Sequence, residues 1–151
     1  MKTIKSRAYR NTKVNYVKSQ MQINKILSDN GVRDSQHSNI GGKAELIFIK
    51  ELSVENKKMN VGVKIIIPDV KEDNRNQLYR ALFHYLKSKF ESLTFGFVEE
   101  YNEAFVKEFM PYLVVDRHGK TVADIILPKL ANSISYTKQG EQLYLEEKQG
   151  I

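Results

Sequence analysis

Residues 43–67 read KAELIFIKELSVENKKMNVGVKIII, and their periodicity decides the fold. From Met59 to Ile67 the apolar side chains alternate: Met59, Val61, Val63, Ile65 and Ile67 on one side, Asn60, Gly62 and Lys64 on the other. A two-residue period with β-branched side chains is the pattern of a half-buried strand. Pro68 ends it. In residues 43–52 the run Leu46-Ile47-Phe48-Ile49 is apolar at both parities, which predicts a central strand buried on both faces at its middle. The polar Ser53–Lys58 segment between them predicts an antiparallel hairpin. Upstream, Gly41-Gly42 marks a turn, and the weakly alternating residues 32–38 read as an edge strand or a loop.

Helical patterns flank this sheet. Ser19 followed by Gln22 predicts a capping box, with Ile23, Ile26 and Leu27 on the buried face and Gly31 as the stop. Lys18, Gln22 and Lys25 fall on the opposite face. Residues 74–94 carry the strongest helical signal, with Leu78, Leu82, Tyr85, Leu86 and Leu93 spaced by threes and fours. Tyr79, Phe83 and Phe90 widen that arc, while Arg80, His84, Lys87 and Glu91 mark its polar side. Lys89 projects into the apolar arc, so it either snorkels to water or pairs with a buried carboxylate or a bound phosphate. A second helix is predicted at about 98–110, with an aromatic stripe of Phe97, Tyr101, Phe105 and Phe109 and an acidic face of Glu99, Glu100, Glu103 and Glu108. Pro111 stops it. Tyr112–Val115 reads as a short strand, 116–120 as a tight turn, and Thr121 with Asp124 as the cap of a short helix disturbed at Pro128. Strands followed by helices, without βαβ alternation, define an α+β class: a small, mostly antiparallel sheet packed on one face by helices. The organisation expected is a basic arm over 1–17, one domain over 18–136 and a tail over 137–151.

The charge is distributed unevenly. The chain has 151 residues, 24 bases, 18 acids and a formal net charge of +6. Lys2, Lys5, Arg7, Arg10, Lys13, Lys18 and Lys25 all precede the first acid, Asp29. The rest of the chain is close to neutral. An unopposed cationic segment of this kind suits a polyanion. Arginine adds bidentate phosphate recognition, and Tyr9 and Tyr16 add rings on which unpaired bases stack. The predicted nucleic-acid-binding set is therefore Lys2, Lys5, Arg7, Tyr9, Arg10, Lys13, Tyr16, Lys18 and Lys25, with Arg80, Lys87 and Lys89 as a secondary set.

Other chemistries are poorly represented. Without cysteine there are no disulfides, thiolate zinc sites or cysteine nucleophiles. His37, His84 and His118 lack metal-ligand spacing. Phosphate-loop, dinucleotide and nucleophile-elbow motifs are missing. Pro68-Asp69 resembles half of a metal-dependent nuclease motif, but the acid-x-Lys triplet Glu55-Asn56-Lys57, the candidate for its second half, lies before it in a turn. No catalytic residue, metal or cofactor is assigned. No stretch is apolar for long enough to span a membrane, and no secretory leader is recognisable, so a cytoplasmic location is expected.

Val17-Lys18-Ser19-Gln20, Ile23, Leu27 and Gly31 form one group of features. Arg80-Ala81-Leu82-Phe83, Leu86-Lys87-Ser88-Lys89-Phe90-Glu91, Phe105, Glu108-Phe109-Met110-Pro111 and Gly119-Lys120-Thr121 before Pro128 form the rest. Together they resemble a group of small proteins of bacteriophages and related mobile elements, over residues 14–31 and 78–130. The group has no established activity. Its genes tend to lie among replication and recombination functions, so the resemblance implies work on DNA. The expectation is a nucleic-acid-binding accessory protein, DNA favoured over RNA and single strands over duplex. The alternatives are a protein-interaction module, such as an inhibitor or adaptor of a host enzyme, and a metal-dependent nuclease. A protein partner and a homo-oligomer both stay open.

Overall fold

The computed structural model describes residues 7–95 and 100–133. The elements run α1 (Tyr16–Asp29), β1 (Asp34–Ile40), β2 (Lys43–Val54), β3 (Lys57–Ile67), α2 (Arg75–Thr94) and α3 (Tyr101–Phe109). A 3-10 turn at Met110–Tyr112 follows, and residues 122–133 form a last helix, α4. This is the α+β architecture that the sequence predicts. The tail over 137–151 lies outside the described residues.

The sheet is an antiparallel meander in the order β1-β2-β3. Both of its turns are two residues long. Ile40 faces Lys43 across Gly41-Gly42, and Val54 faces Lys57 across Glu55-Asn56. All four turn residues have positive φ, from 52° to 81°. That is the type I′ geometry, whose twist matches that of the flanking strands. Glycine adopts it freely; glutamate at position 55 does not.

One face of the sheet is covered. Ala44, Leu46, Phe48 and Leu52 of β2 and Val63, Ile65 and Ile67 of β3 are buried there, beneath α1, α2 and α3. The expectation that β2 is buried on both faces is corrected. Ile47 is only half-buried and Ile49 is exposed, because among the described residues no helix covers the second face at that point. Within the buried row of β2, the position between Phe48 and Leu52 is Lys50. Its ammonium donates to the Asn30 carbonyl at the end of α1 (2.7 Å) and lies 5.5 Å from the Tyr101 ring centroid. A cation there complements the negative end of α1, and burial lowers its pKa.

α1 begins one turn earlier than the capping-box reading places it. Asn15 is the N-cap, and its side chain accepts from the Val17 N–H. Ser19 is wholly buried instead, in line with Ile23 and Leu27 on the face that meets the core. The last residues of the predicted 1–17 arm are thus the cap and first turn of the helix. α2 buries Tyr79, Leu82, Leu86, Phe90 and Leu93. α3 contributes Phe105 and Phe109, stacked on each other at 4.6 Å. Phe109 also meets Phe48 edge-on at 5.9 Å and Phe90 at 5.1 Å, so aromatic packing joins α2, α3 and the sheet. The first residues of the predicted 98–110 helix, with Gly96, Phe97 and Glu99, lie outside the described residues.

Beyond Pro111 the predicted strand is reduced to two isolated bridges, Val63 with Leu113 and Val114 with Thr121. Thr121 and Asp124 form the expected reciprocal cap: the Thr121 N–H donates to the carboxylate at 2.9 Å and the Asp124 N–H to the hydroxyl at 3.3 Å. Pro128 does not interrupt α4, which continues past it to residue 133.

Candidate nucleic-acid interface

Lys2 and Lys5 lie outside the described residues. From Arg7 onward the arm is held against α2. Two successive turns close through Arg10 N–H to Arg7 O and Thr12 N–H to Tyr9 O, both 3.1 Å. The Gln77 side chain donates to the Ala8 carbonyl at 2.9 Å. The Tyr9 ring lies parallel to the His84 ring, with centroids 4.8 Å apart and an interplanar angle of 7°.

This docking leaves the charges unopposed. Arg7, Arg10, Lys13, Lys18 and Lys25 are all exposed. The ion pairs among the described residues are Lys64–Glu45, Lys87–Glu91 and Lys89–Glu108, so no described carboxylate lies within 4.0 Å of any of the five.

α2 extends the same surface. Arg75 sits 4.3 Å above the Tyr16 ring. Arg80 donates to the Gln22 side chain of α1 and lies 4.3 Å above the Phe83 ring. Tyr16 is anchored by its own N–H, which donates to Asn76 at 2.8 Å, and its ring packs on Tyr79 at 5.9 Å. With Arg75 above it and Tyr79 beside it, Tyr16 is a packing residue. Tyr9, the other tyrosine in the predicted set, has His84 as its one ring contact among the described residues and is 39% exposed. Contacts from Tyr9 to His84, Tyr16 to Arg75 and Gln22 to Arg80 therefore tie arm, α1 and α2 into one surface. From Asn74 through Phe90, α2 carries Arg75, Arg80, Lys87 and Lys89 and no acid. A linear charge count misses this second acid-free stretch because its bases are spread among apolar residues. Arg75, Gln77 and His84 are additions to the predicted set.

The secondary set divides. Arg80 faces α1. Lys87 is exposed and forms a loose surface pair with Glu91 at 3.8 Å, of the kind that contributes little. Lys89 turns inward. Its ammonium donates to the Glu108 carbonyl at 3.0 Å and lies 3.3 Å from the Glu108 carboxylate. The Tyr85, Phe109 and Tyr112 rings surround it at 4.7, 5.6 and 5.7 Å. Of the two readings of Lys89, pairing with a carboxylate is the one realised, and its charge is withdrawn from the surface track.

The histidines do not converge. His37 in β1 bonds to Asn24 at 2.9 Å and meets Tyr79 edge-on. His118 is exposed in the turn whose N–H groups cap Asp116. His84 has its pKa lowered by partial burial and by the cations Arg80 and Lys87, so at neutral pH its ring is an uncharged stacking partner for Tyr9. Among the described residues no group of three His, Asp or Glu side chains could hold a metal ion, and no helix is long and apolar enough to cross a membrane. A cavity of about 520 Å³ opens at the end of β1 and β2. Arg33, Lys50 and Lys58 line it together with Asp34 and Glu51, and such interleaved charge favours neither a cation nor an anion.

Comparison with protein-family models, with curated proteins and with solved structures yields no match for this chain.

Proposed function

We propose that this protein is a non-catalytic nucleic-acid-binding accessory factor, of the kind encoded by phages and mobile elements, with DNA favoured over RNA. One observation supports the reading above the rest. Arg7, Arg10, Lys13, Lys18, Lys25, Arg75, Arg80 and Lys87 belong to three adjoining segments whose described residues, 7–28 and 74–90, contain no carboxylate. Only Lys87 of these has a carboxylate partner among the described residues, Glu91 at 3.8 Å, and a surface so dominated by one sign of charge attracts a polyanion and raises its rate of association. Phosphate contacts by arginine and lysine, with the release of condensed counterions, supply the affinity.

The test is fluorescence anisotropy with a labelled DNA oligonucleotide across a series of salt concentrations. With about five phosphate contacts, log affinity falls with log salt at a slope of roughly −3.5 to −4.5. Replacing Arg7, Arg10 and Lys13 together by glutamine reduces the slope by about 2 to 3. Absence of binding at low salt, or binding indifferent to salt, refutes the proposal. One feature favours a second reading, a protein-interaction module. α4 turns Ile126, Leu127 and Leu130 outward, at 43%, 62% and 55% exposure, and an amphipathic helix with its apolar side in water is a common docking element for another protein. An adaptor ignores oligonucleotides and retains one protein partner.

A further inference from the structure

We propose that the outer face of the Tyr9 ring is a seat for an unpaired nucleobase, which makes single-stranded nucleic acid the ligand class. The inference rests on the nucleic-acid reading above and narrows it.

Three observations carry it. The first is a column of π surfaces built from α2 outward. The Arg80 guanidinium lies 4.3 Å from the Phe83 ring. Phe83 meets His84 edge-on at 5.0 Å and 68°, and His84 lies flat against Tyr9 at 4.8 Å and 7°. The column ends at Tyr9, which is 39% exposed. Its inner face is backed by α2 through His84, and among the described residues no second ring or cation packs on the ring. An aromatic ring supported in this way loses little conformational freedom when a base stacks on it.

The second is the backbone. Tyr9 has φ +60°, the left-handed region that costs an L-residue about 1–2 kcal/mol and that turns normally fill with glycine or asparagine. A bulky aromatic is the wrong residue for the turn alone. Strain of this kind accumulates where a side chain has to be aimed, and here it lays the ring on His84. The Tyr9 hydroxyl has no hydrogen-bond partner among the described residues, so no polar anchor explains the choice.

The third is the electrostatic setting. Arg7 and Arg10 flank Tyr9 in the same pair of turns, and Arg80 and Lys87 flank His84 on α2. A strand whose base rests on Tyr9 therefore has cations for the phosphates on both sides of that base. Sequence-tolerant single-strand binding combines a cationic path with aromatic platforms. In a duplex both faces of every internal base are already stacked, so a duplex has no base to offer.

The experiment compares the full chain on three labelled ligands of equal length: oligothymidylate, an abasic single strand and a blunt duplex. The wild type binds oligothymidylate more tightly than the abasic strand. Tyr9→Asn, whose asparagine suits the left-handed turn and so protects the fold, weakens oligothymidylate binding roughly 5- to 150-fold. It brings that affinity down to the abasic level and leaves duplex binding and the salt slope unchanged. Tyr9→Phe retains wild-type binding. If Tyr9→Asn binds oligothymidylate as the wild type does while the Arg7, Arg10 and Lys13 replacements still weaken it, the base seat is refuted and the electrostatic reading survives. If the wild type binds none of the three ligands, both fall.

Discussion

Lys89 gives the sharpest energetic test of how α2 and α3 are joined. Consider Lys89→Met, which keeps the unbranched stem and removes the charge. It removes a charge-assisted hydrogen bond to the Glu108 carbonyl at 3.0 Å, a bond of the class that contributes about 1.5–3 kcal/mol. The carboxylate contact at 3.3 Å adds less. Glu108 keeps 34% of its side-chain surface in water, against 13% for Lys89, so solvent screens the pair to about 0.5 kcal/mol. The Tyr85 ring at 4.7 Å contributes about 0.5–1 kcal/mol, while Phe109 and Tyr112 at 5.6 and 5.7 Å stand near the limit of the effect. Relief of the ammonium's desolvation offsets part of this total. The net cost expected is about 1–2 kcal/mol for Lys89→Met, and about 1–2 kcal/mol more for Lys89→Ala, which also removes packing. In a chain of this length that lowers Tm by about 2–4 °C per kcal/mol. Glu108→Gln costs about 1 kcal/mol or less, because the backbone acceptor and the rings remain. The assay is urea denaturation followed by far-UV circular dichroism, with Lys87→Met as the surface control. If Lys89→Met is no more destabilising than Lys87→Met, the inward pairing is not a structural bond and the reasoning is wrong.

Two further outcomes follow from local geometry. Replacing Glu55-Asn56 by Asn-Gly removes a strained glutamate from a type I′ turn and raises stability by about 1 kcal/mol; an unchanged urea midpoint contradicts the turn assignment. The Tyr112 phenol is pushed up to about 12, first by burial and then by the Tyr85 hydroxyl 2.5 Å away. In the unfolded chain it ionises near its ordinary value of about 10. Its contribution is therefore complete below pH 10 and is lost as pH rises through the folded value. Tyr112→Phe flattens that alkaline decline, as read from urea midpoints between pH 9 and pH 11, and a decline that persists unaltered assigns it to other groups.

The sheet was legible because both of its signals are local. Alternation from Met59 to Ile67 and short polar turns specify a hairpin without reference to the rest of the chain. The Leu46–Ile49 run was misleading for the same reason: four consecutive apolar residues do not say whether a second layer exists, and here the face bearing Ile47 and Ile49 is left partly in water. The cap of α1 was misplaced because Asn15 and Ser19 are both competent caps, and only the packing of α1 into the core reveals that Ser19 belongs inside. For the candidate interface, the arm was readable as a run of bases without acids. Arg75 and His84 were not, because their relation to Tyr16 and Tyr9 is created by the docking of α1 and the arm on α2. Lys89 was recognisable as an anomaly on an apolar arc, but its partner lies on another helix.

The connection between α1 and α2 has a consequence for biosynthesis. The hydrogen bond from Tyr16 to Asn76 joins residues 60 positions apart, whereas each sheet turn joins immediate neighbours, and closing a long loop is the slower event. During translation the cationic leader and α1 emerge well before the helix that completes their surface. Until then Ile23 and Leu27 have no cover from α2. The meander can form meanwhile, since everything it needs has already been made. The surface shared by the arm, α1 and α2 is thus completed only after every residue of the meander has been made.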